Sequence, residues 1–187
     1  GRLMFCKDYL KTTAEIALAI DHHEVARLTV ELYKTLGRIY VIGLGGSMAN
    51  AIHFAADLRK LCHLDAQTVN YAEFSARAND DGMSTVFTGW MRDIKPADAL
   101  FVLSVGGGTD EVSTGITAAV KLAKDRGARI LGIVGPDGGN TAKLATCCIK
   151  IPAPAGAITP HTEAFQAVVW HCLISHPLIQ RTKAKWV

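Results

Sequence analysis

The run Arg38-Ile-Tyr-Val-Ile-Gly-Leu-Gly-Gly-Ser-Met-Ala-Asn-Ala-Ile-His-Phe-Ala-Ala-Asp-Leu58 decides the fold. Its first part, Ile39 to Ile42, is β-branched and aromatic and ends at a glycine, as a buried strand does. Gly43, Gly45 and Gly46 then let the chain turn at little steric cost. Ser47 is a good N-cap, and Met48 to Leu61 has helix-forming composition. Strand, glycine turn and helix start together make an anion site. Free N–H groups and the positive end of the helix dipole face whatever lies over the turn, which suits a phosphate. The run is not the Walker pattern, because no Gly-Lys-Ser/Thr follows, nor the dinucleotide pattern Gly-x-Gly-x-x-Gly, because Gly45 is followed by Gly-Ser-Met. A tight turn that binds nothing would use the same glycines.

Outward from this unit, the chain alternates apolar runs with helical stretches. Residues from Phe5 to Leu36 carry helical periodicity and read as two helices with a break near Asp21 to His23. Such a leader, residues 1–36, is expected to pack against another subunit, ahead of a second domain over residues 37–187. Ala66 to Val69 reads as a second strand. Asn70 to Gly82 reads as a polar segment closing in the turn Asn79-Asp-Asp-Gly82, and Thr85 to Met91 as a short helix. Ala99 to Leu103 is a third strand, followed at once by Ser104-Val-Gly-Gly-Gly-Thr109 and a helix from Asp110 to Arg126. Ile130 to Val134 and Cys147 to Ile151 are the fourth and fifth strands, and a last helix spans His161 to Ser175. Nearly continuous apolar strands alternating with helices predict an α/β fold: a doubly wound five-stranded parallel sheet with helices on both faces and an N-terminal helical extension.

Both glycine turns follow carboxyl ends of strands, the edge at which open α/β sheets hold ligands. Ser47, Ser104 and Thr109 can offer hydroxyls there, although Ser47 and Thr109 would also serve as plain helix caps. Asp110 and Glu111 already bring negative charge to the second turn, against a second anion.

Bulk properties bound the answer. A chain of 187 residues with 49% hydrophobic and 20% charged residues folds around a real core. No apolar run reaches the ~18 residues of a membrane span. The net charge of +3 is carried by scattered basic residues, which argues against a nucleic-acid surface. The opening Gly-Arg-Leu-Met-Phe-Cys has no long apolar core and is not expected to be a secretion signal. Cys6, Cys62, Cys147, Cys148 and Cys172 show no Cys-x-x-Cys spacing and are expected to be reduced, buried thiols.

Two helices carry the titratable candidates. His53 and Asp57 are four apart and share a helix face. Glu163 and His171 are eight apart on the last helix, a rise of roughly 12 Å. Two histidines and two carboxylates suit zinc and also acid-base work near neutral pH. Spacing alone does not select among ligation, catalysis and a polar contact between helices.

Four pieces in combination carry a family resemblance: Gly43-Leu-Gly-Gly-Ser47 with His53-Phe-Ala-Ala-Asp57; Asn79-Asp-Asp-Gly82; Ser104 to Thr109; and Glu163-Ala-Phe-Gln-Ala-Val-Val-Trp-His171. Residues 14 to 180 resemble the sugar isomerase (SIS) domain, and within it the phosphoheptose isomerases. The resemblance implies an aldose-ketose isomerase that converts sedoheptulose 7-phosphate to D-glycero-D-manno-heptose 7-phosphate through an enediolate. It implies Asp57 as base and His171 as acid-base group. It implies zinc held by His53, Asp57, Glu163 and His171. It also implies a cytoplasmic homotetramer with active sites between subunits, acting on a small sugar phosphate and on neither nucleic acid nor membrane. Ser47, Ser104 and Thr109 would bind the phosphate and Asp80 the sugar, with Glu163 also near the substrate.

The chain departs from the family at Leu44, where asparagine is usual, and at Val105, Gly106 and Gly108, where polar side chains are usual. Phosphate binding then leans on the backbone of Gly45, Gly46, Gly106 and Gly107. Asp57 stands for glutamate and Glu163 for glutamine. The lost polar groups leave two rivals open: a non-catalytic SIS domain that senses a sugar phosphate or binds a protein, and an isomerase of another phosphosugar.

Overall fold

Asp21 divides the N-terminal stretch into two helices. Its carboxylate accepts the N–H of His23 at 2.8 Å, which ends α1 (Arg2–Ala19) and starts α2 (His22–Tyr33). The structure, a computed structural model, describes residues 2–186. The remaining elements are β1 (Ile39–Ile42), α3 (Gly46–Cys62), β2 (Ala66–Gln67), α4 (Tyr71–Asp80), a 3-10 turn (Met83–Thr85), β3 (Ala99–Ser104), α5 (Thr114–Asp125), β4 (Arg129–Val134), α6 (Gly139–Leu144), β5 (Cys147–Lys150) and α7 (Ile158–Ser175).

The five strands form one sheet in the order β2-β1-β3-β4-β5, and every pairing is parallel. This is the expected doubly wound sheet. All residues of β1 and β3 are buried, so their side chains alternate between two cores rather than between core and water. Ile39, Val41, Phe101 and Leu103 face the core covered by α2, α3 and α7. Tyr40, Ile42, Leu100 and Val102 face the core covered by α5 and the segment around Val86 and Phe87. Among the described residues, no helix is long and apolar enough to cross a membrane.

Local differences from the sequence reading have physical causes. The segment after Asn70 is a helix rather than a turn. The Asn70 side chain caps it by accepting from Glu73 N–H, and Glu73 pairs with Arg77 one turn on. None of its residues is fully buried, so it has no apolar stripe to announce it. Only a 3-10 turn and further turns occupy the region expected to be helical around Thr85 to Met91. The short α6 was not expected, since its glycines read as a loop. The second strand is two residues, not four.

The five cysteines are free, but Cys6 and Cys172 are exposed and do not meet the expectation of burial. Burial pushes the thiol of Cys148 up to about 12 and those of Cys62 and Cys147 up to about 11.

Candidate active site

The sheet order sets where a crevice can form. β1 leads into α3 on one face, and its neighbour β3 leads into α5 on the other. The two glycine loops therefore part at the carboxyl edge between these strands, the topological switch point. A cavity of about 220 Å³ lies there, and its wall includes Leu44, Ser47, Ser104, Gly106, Thr109 and Ser113.

The two loops prepare this cavity differently. Gly45, not Ser47, takes the N-cap position of α3, with φ of 59°. Ser47 sits inside the first turn, only 2% exposed, and its hydroxyl has no hydrogen-bond partner. Ser104 Oγ accepts the N–H of Gly107 at 3.0 Å and keeps its own proton to donate. Thr109 is committed elsewhere. Its hydroxyl oxygen accepts the N–H groups of Val112 and Glu111 at 2.9 and 3.3 Å. That turn delays the helix, which starts at Thr114 rather than Asp110, with Ser113 at the N-cap position. Ser113 has φ of 56° and no side-chain capping bond. Reading Thr109 as the cap hid it; the short polar run Thr109 to Ser113 was the only sign.

The Ser104 to Thr109 loop is held from behind by α6. Backbone N–H groups of Asn140 and Thr141 donate to Gly108 O and Gly107 O at 2.8 and 3.0 Å. Thr141 Oγ1 donates to Gly107 O at 2.7 Å. Gly107, at φ of 70°, lies so close to the Gly138 carbonyl that no Cβ fits.

The second part of the site is a pair of facing helices. One ligand atom each from His53, Asp57 and His171 lies within 4.8 Å of the others. His53 Nε2 is 3.3 Å from Asp57 Oδ2, the contact expected of residues four apart on α3. His171 Nδ1 is 2.7 Å from the carbonyl of Ala167, which can only accept, so Nδ1 is the donor there and Nε2 is the ring nitrogen left to face the trio. Trp170 stacks on His171 at 3.5 Å between centroids and meets His53 edge-on at 4.6 Å.

Two predicted residues lie outside this trio. Glu163, half-buried two turns before His171 on α7, turns its carboxylate onto the backbone of Gly46, where an added Cβ would collide with it. It borders the α3 N-terminus, where a negative charge is favoured by the helix dipole. Asp80 is exposed at the end of α4, bonded by Asn79 Nδ2 at 2.7 Å, and is in neither the cavity wall nor the trio.

Two imidazoles and a carboxylate within reach of one point are the donor set that zinc takes, and His171 already has its other ring nitrogen tied to a carbonyl, as metal-bound histidines do.

A profile of the SIS domain matches residues 31–174. The chain belongs to the SIS domain family. Its curated relatives within that family include the phosphoheptose isomerase of Akkermansia muciniphila, 33% identical over 147 residues, which span 74% of this chain and 76% of that protein. The chain thus lies in the family's branch of phosphoheptose isomerase enzymes. The lincomycin biosynthesis protein LmbN of Streptomyces lincolnensis is 36% identical over 160 residues, 79% of this chain but 58% of that longer protein. The SIS fold itself superposes on phosphoheptose isomerase GmhA from Neisseria gonorrhoeae with a TM-score of 0.78 at 23% identity, covering 92% of this chain and 94% of that one.

Proposed function

We propose that this SIS domain is an aldose-ketose isomerase of a phosphosugar, converting sedoheptulose 7-phosphate to D-glycero-D-manno-heptose 7-phosphate. The observation that carries the reading is the trio His53, Asp57 and His171, gathered from two facing helices. A pure binding module has no need of it. The names of the relatives support the substrate class.

The cavity between the glycine loops would take the phosphate, through Ser47, Ser104 and the N–H groups at the start of α3. Held there, the phosphate would keep the reacting carbons in range of the trio. Asp57 would remove a proton from C1 of the ketose and return it to C2, by way of an enediolate. His171, through Nε2, would take the proton of the C1 hydroxyl and give it to the C2 oxygen, so that no proton is gained or lost overall; the same nitrogen would be its zinc ligand, so the two roles of His171 are alternatives. General acid-base groups of this kind contribute about 10²–10⁴-fold each. His53, Asp57 and His171 would hold a zinc ion, and Glu163 would complete the set after turning away from Gly46. Bound zinc would supply a Lewis acid for the sugar's carbonyl oxygen. The reading also includes a cytoplasmic homotetramer with active sites between subunits, supported by apolar side chains left exposed along α1, among them Phe5, Leu10 and Leu18.

The test is turnover of sedoheptulose 7-phosphate by protein purified without added metal, followed by chromatography that separates ketose from aldose, with and without a chelator. Chelator-sensitive product is expected. Turnover indifferent to chelator would keep the isomerase and remove the metal from it. No turnover from folded protein that still binds the sugar phosphate would reject this substrate. Asp57→Asn should lower kcat by at least about 10²; full activity would reject Asp57 as the base.

A further inference from the structure

Asn50 was conspicuous in the sequence only as part of a helix, yet it ties together the two helices that carry the trio. Its Nδ2 donates to Glu163 O and to Gln166 Oε1, both at 3.0 Å. Its Oδ1 accepts the indole N–H of Trp170 at 3.4 Å. The amide orientation follows from chemistry, because a main-chain carbonyl can only accept and an indole N–H can only donate. Glu163, Gln166 and Trp170 are spaced by three and four residues, so Asn50 grips one face of α7 over two turns. His53 lies three residues beyond Asn50 on the same side of α3.

Trp170 passes this grip on to the imidazoles. Its ring is 1% exposed and backed by Phe54 at 5.6 Å, so it is a rigid wall. One face lies against His171, 25° from parallel, and its edge meets His53 at 69°. The two imidazoles, themselves exposed to solvent, end 5.4 Å apart and nearly perpendicular, at 86°. An exposed imidazole otherwise turns freely about its side-chain bonds. Here the indole leaves His171 the position from which Nδ1–H reaches Ala167 O.

We infer that Asn50 and Trp170 are positioning residues that fix the ring orientation and tautomer of His171, and the approach of His53, for the chemistry proposed above. The inference rests on that reading for its purpose but not for its geometry. Asn50 sets the register of α3 against α7. Trp170 converts that register into the placement of two rings. Neither touches the sugar or the metal in this scheme. Partners hydrogen-bonded to a ligand side chain are worth about 10–100-fold in metal affinity; Asn50 reaches the imidazoles through Trp170 and the α7 main chain, and a loss in that range is expected of it.

The experiment compares wild type, Asn50→Ala and Trp170→Phe, each checked for a native thermal melt. Trp170→Phe keeps a smaller aromatic wall and removes the N–H bond to Asn50. The first readout is the ¹⁵N resonances of the His171 ring in metal-free protein, at a pH well above the ordinary imidazole value of about 6.5. Wild type should show one tautomer with the proton on Nδ1, and Asn50→Ala a mixture. Trp170→Phe should keep mostly the Nδ1 form. The second readout is zinc affinity by competition with a chromophoric chelator, expected to fall about 10–100-fold in Asn50→Ala.

A mixed tautomer in wild type, or an unchanged one in Asn50→Ala, overturns the inference. So does zinc affinity within twofold of a wild type that binds the ion. A wild type that binds no zinc sinks the metal reading alone, and the tautomer then decides the clamp.

Discussion

Ser47 carries a polar group that the free protein leaves unbalanced. Its hydroxyl is buried and has no partner. Leaving such a group unpaired costs about 1–3 kcal/mol. A phosphate oxygen would relieve that cost, since a hydrogen bond to a charged group contributes about 1.5–3 kcal/mol. Ser47→Ala should therefore leave the melting temperature unchanged or raised, and raise KM about 10-fold or more with kcat little altered, the pattern of lost uniform binding. A clear loss of stability would mean that the hydroxyl has a structural partner. At this scale the sequence disclosed chemical types better than roles. The i, i+4 spacing of His53 and Asp57 made their shared face legible, whereas the joining of His171 on α7 to them came from the family resemblance and not from spacing. Glu163 shares that helix, but its carboxylate turns to Gly46, a choice of rotamer that spacing does not contain. Asn50 was illegible as a connector for the same reason: its partners are more than a hundred residues away.

Among the elements, the glycine loop after β3 depends on a neighbour. α6 places its first N–H groups and the Thr141 hydroxyl on the loop's carbonyls instead of leaving them to a ligand. Gly107 makes that approach possible, with φ of 70° and the Gly138 carbonyl where a Cβ would go. Gly107→Ala should cost about 2–4 kcal/mol in urea unfolding, from left-handed strain together with the clash. Thr141→Val, which removes one hydrogen bond, should cost about 1 kcal/mol. Indistinguishable stability for Gly107→Ala would contradict the described contact. The five strands were legible because continuous apolar runs between glycines leave few alternatives. α4 buries no residue fully and went unread, and α5 was started four residues early because Thr109 resembles a cap. Caps depend on which hydroxyl the backbone chooses, and that choice is made by the loop's geometry.

The whole molecule is uneven in how firmly it is held. α1 contributes Ile16 to the core and stacks Tyr9 on His161 at 4.3 Å, while Phe5, Leu10 and Leu18 are 68%, 67% and 89% exposed. A helix with so little burial opens locally at small cost. If the proposed assembly covers it, deuterium uptake by α1 amides should slow as protein concentration rises, while uptake in the sheet stays constant. Sedimentation should give a mass above one chain. A single-chain mass, with α1 exchange indifferent to concentration, would reject the assembly.

The central pairing of the sheet has a different consequence, one of time. Ile39 lies beside Ala99 and Ile42 beside Val102, so the two strands that frame the crevice meet only after a long loop has closed. Closing such a loop is paid in entropy before any contact repays it, and parallel pairings of this kind make for slow folders. On a ribosome, β1 can pair early with the two-residue β2, but its other edge must wait until β3 has emerged. The crevice therefore forms only once β3 and its glycine loop have emerged, and until then an apolar strand edge stays open to chaperones and to aggregation.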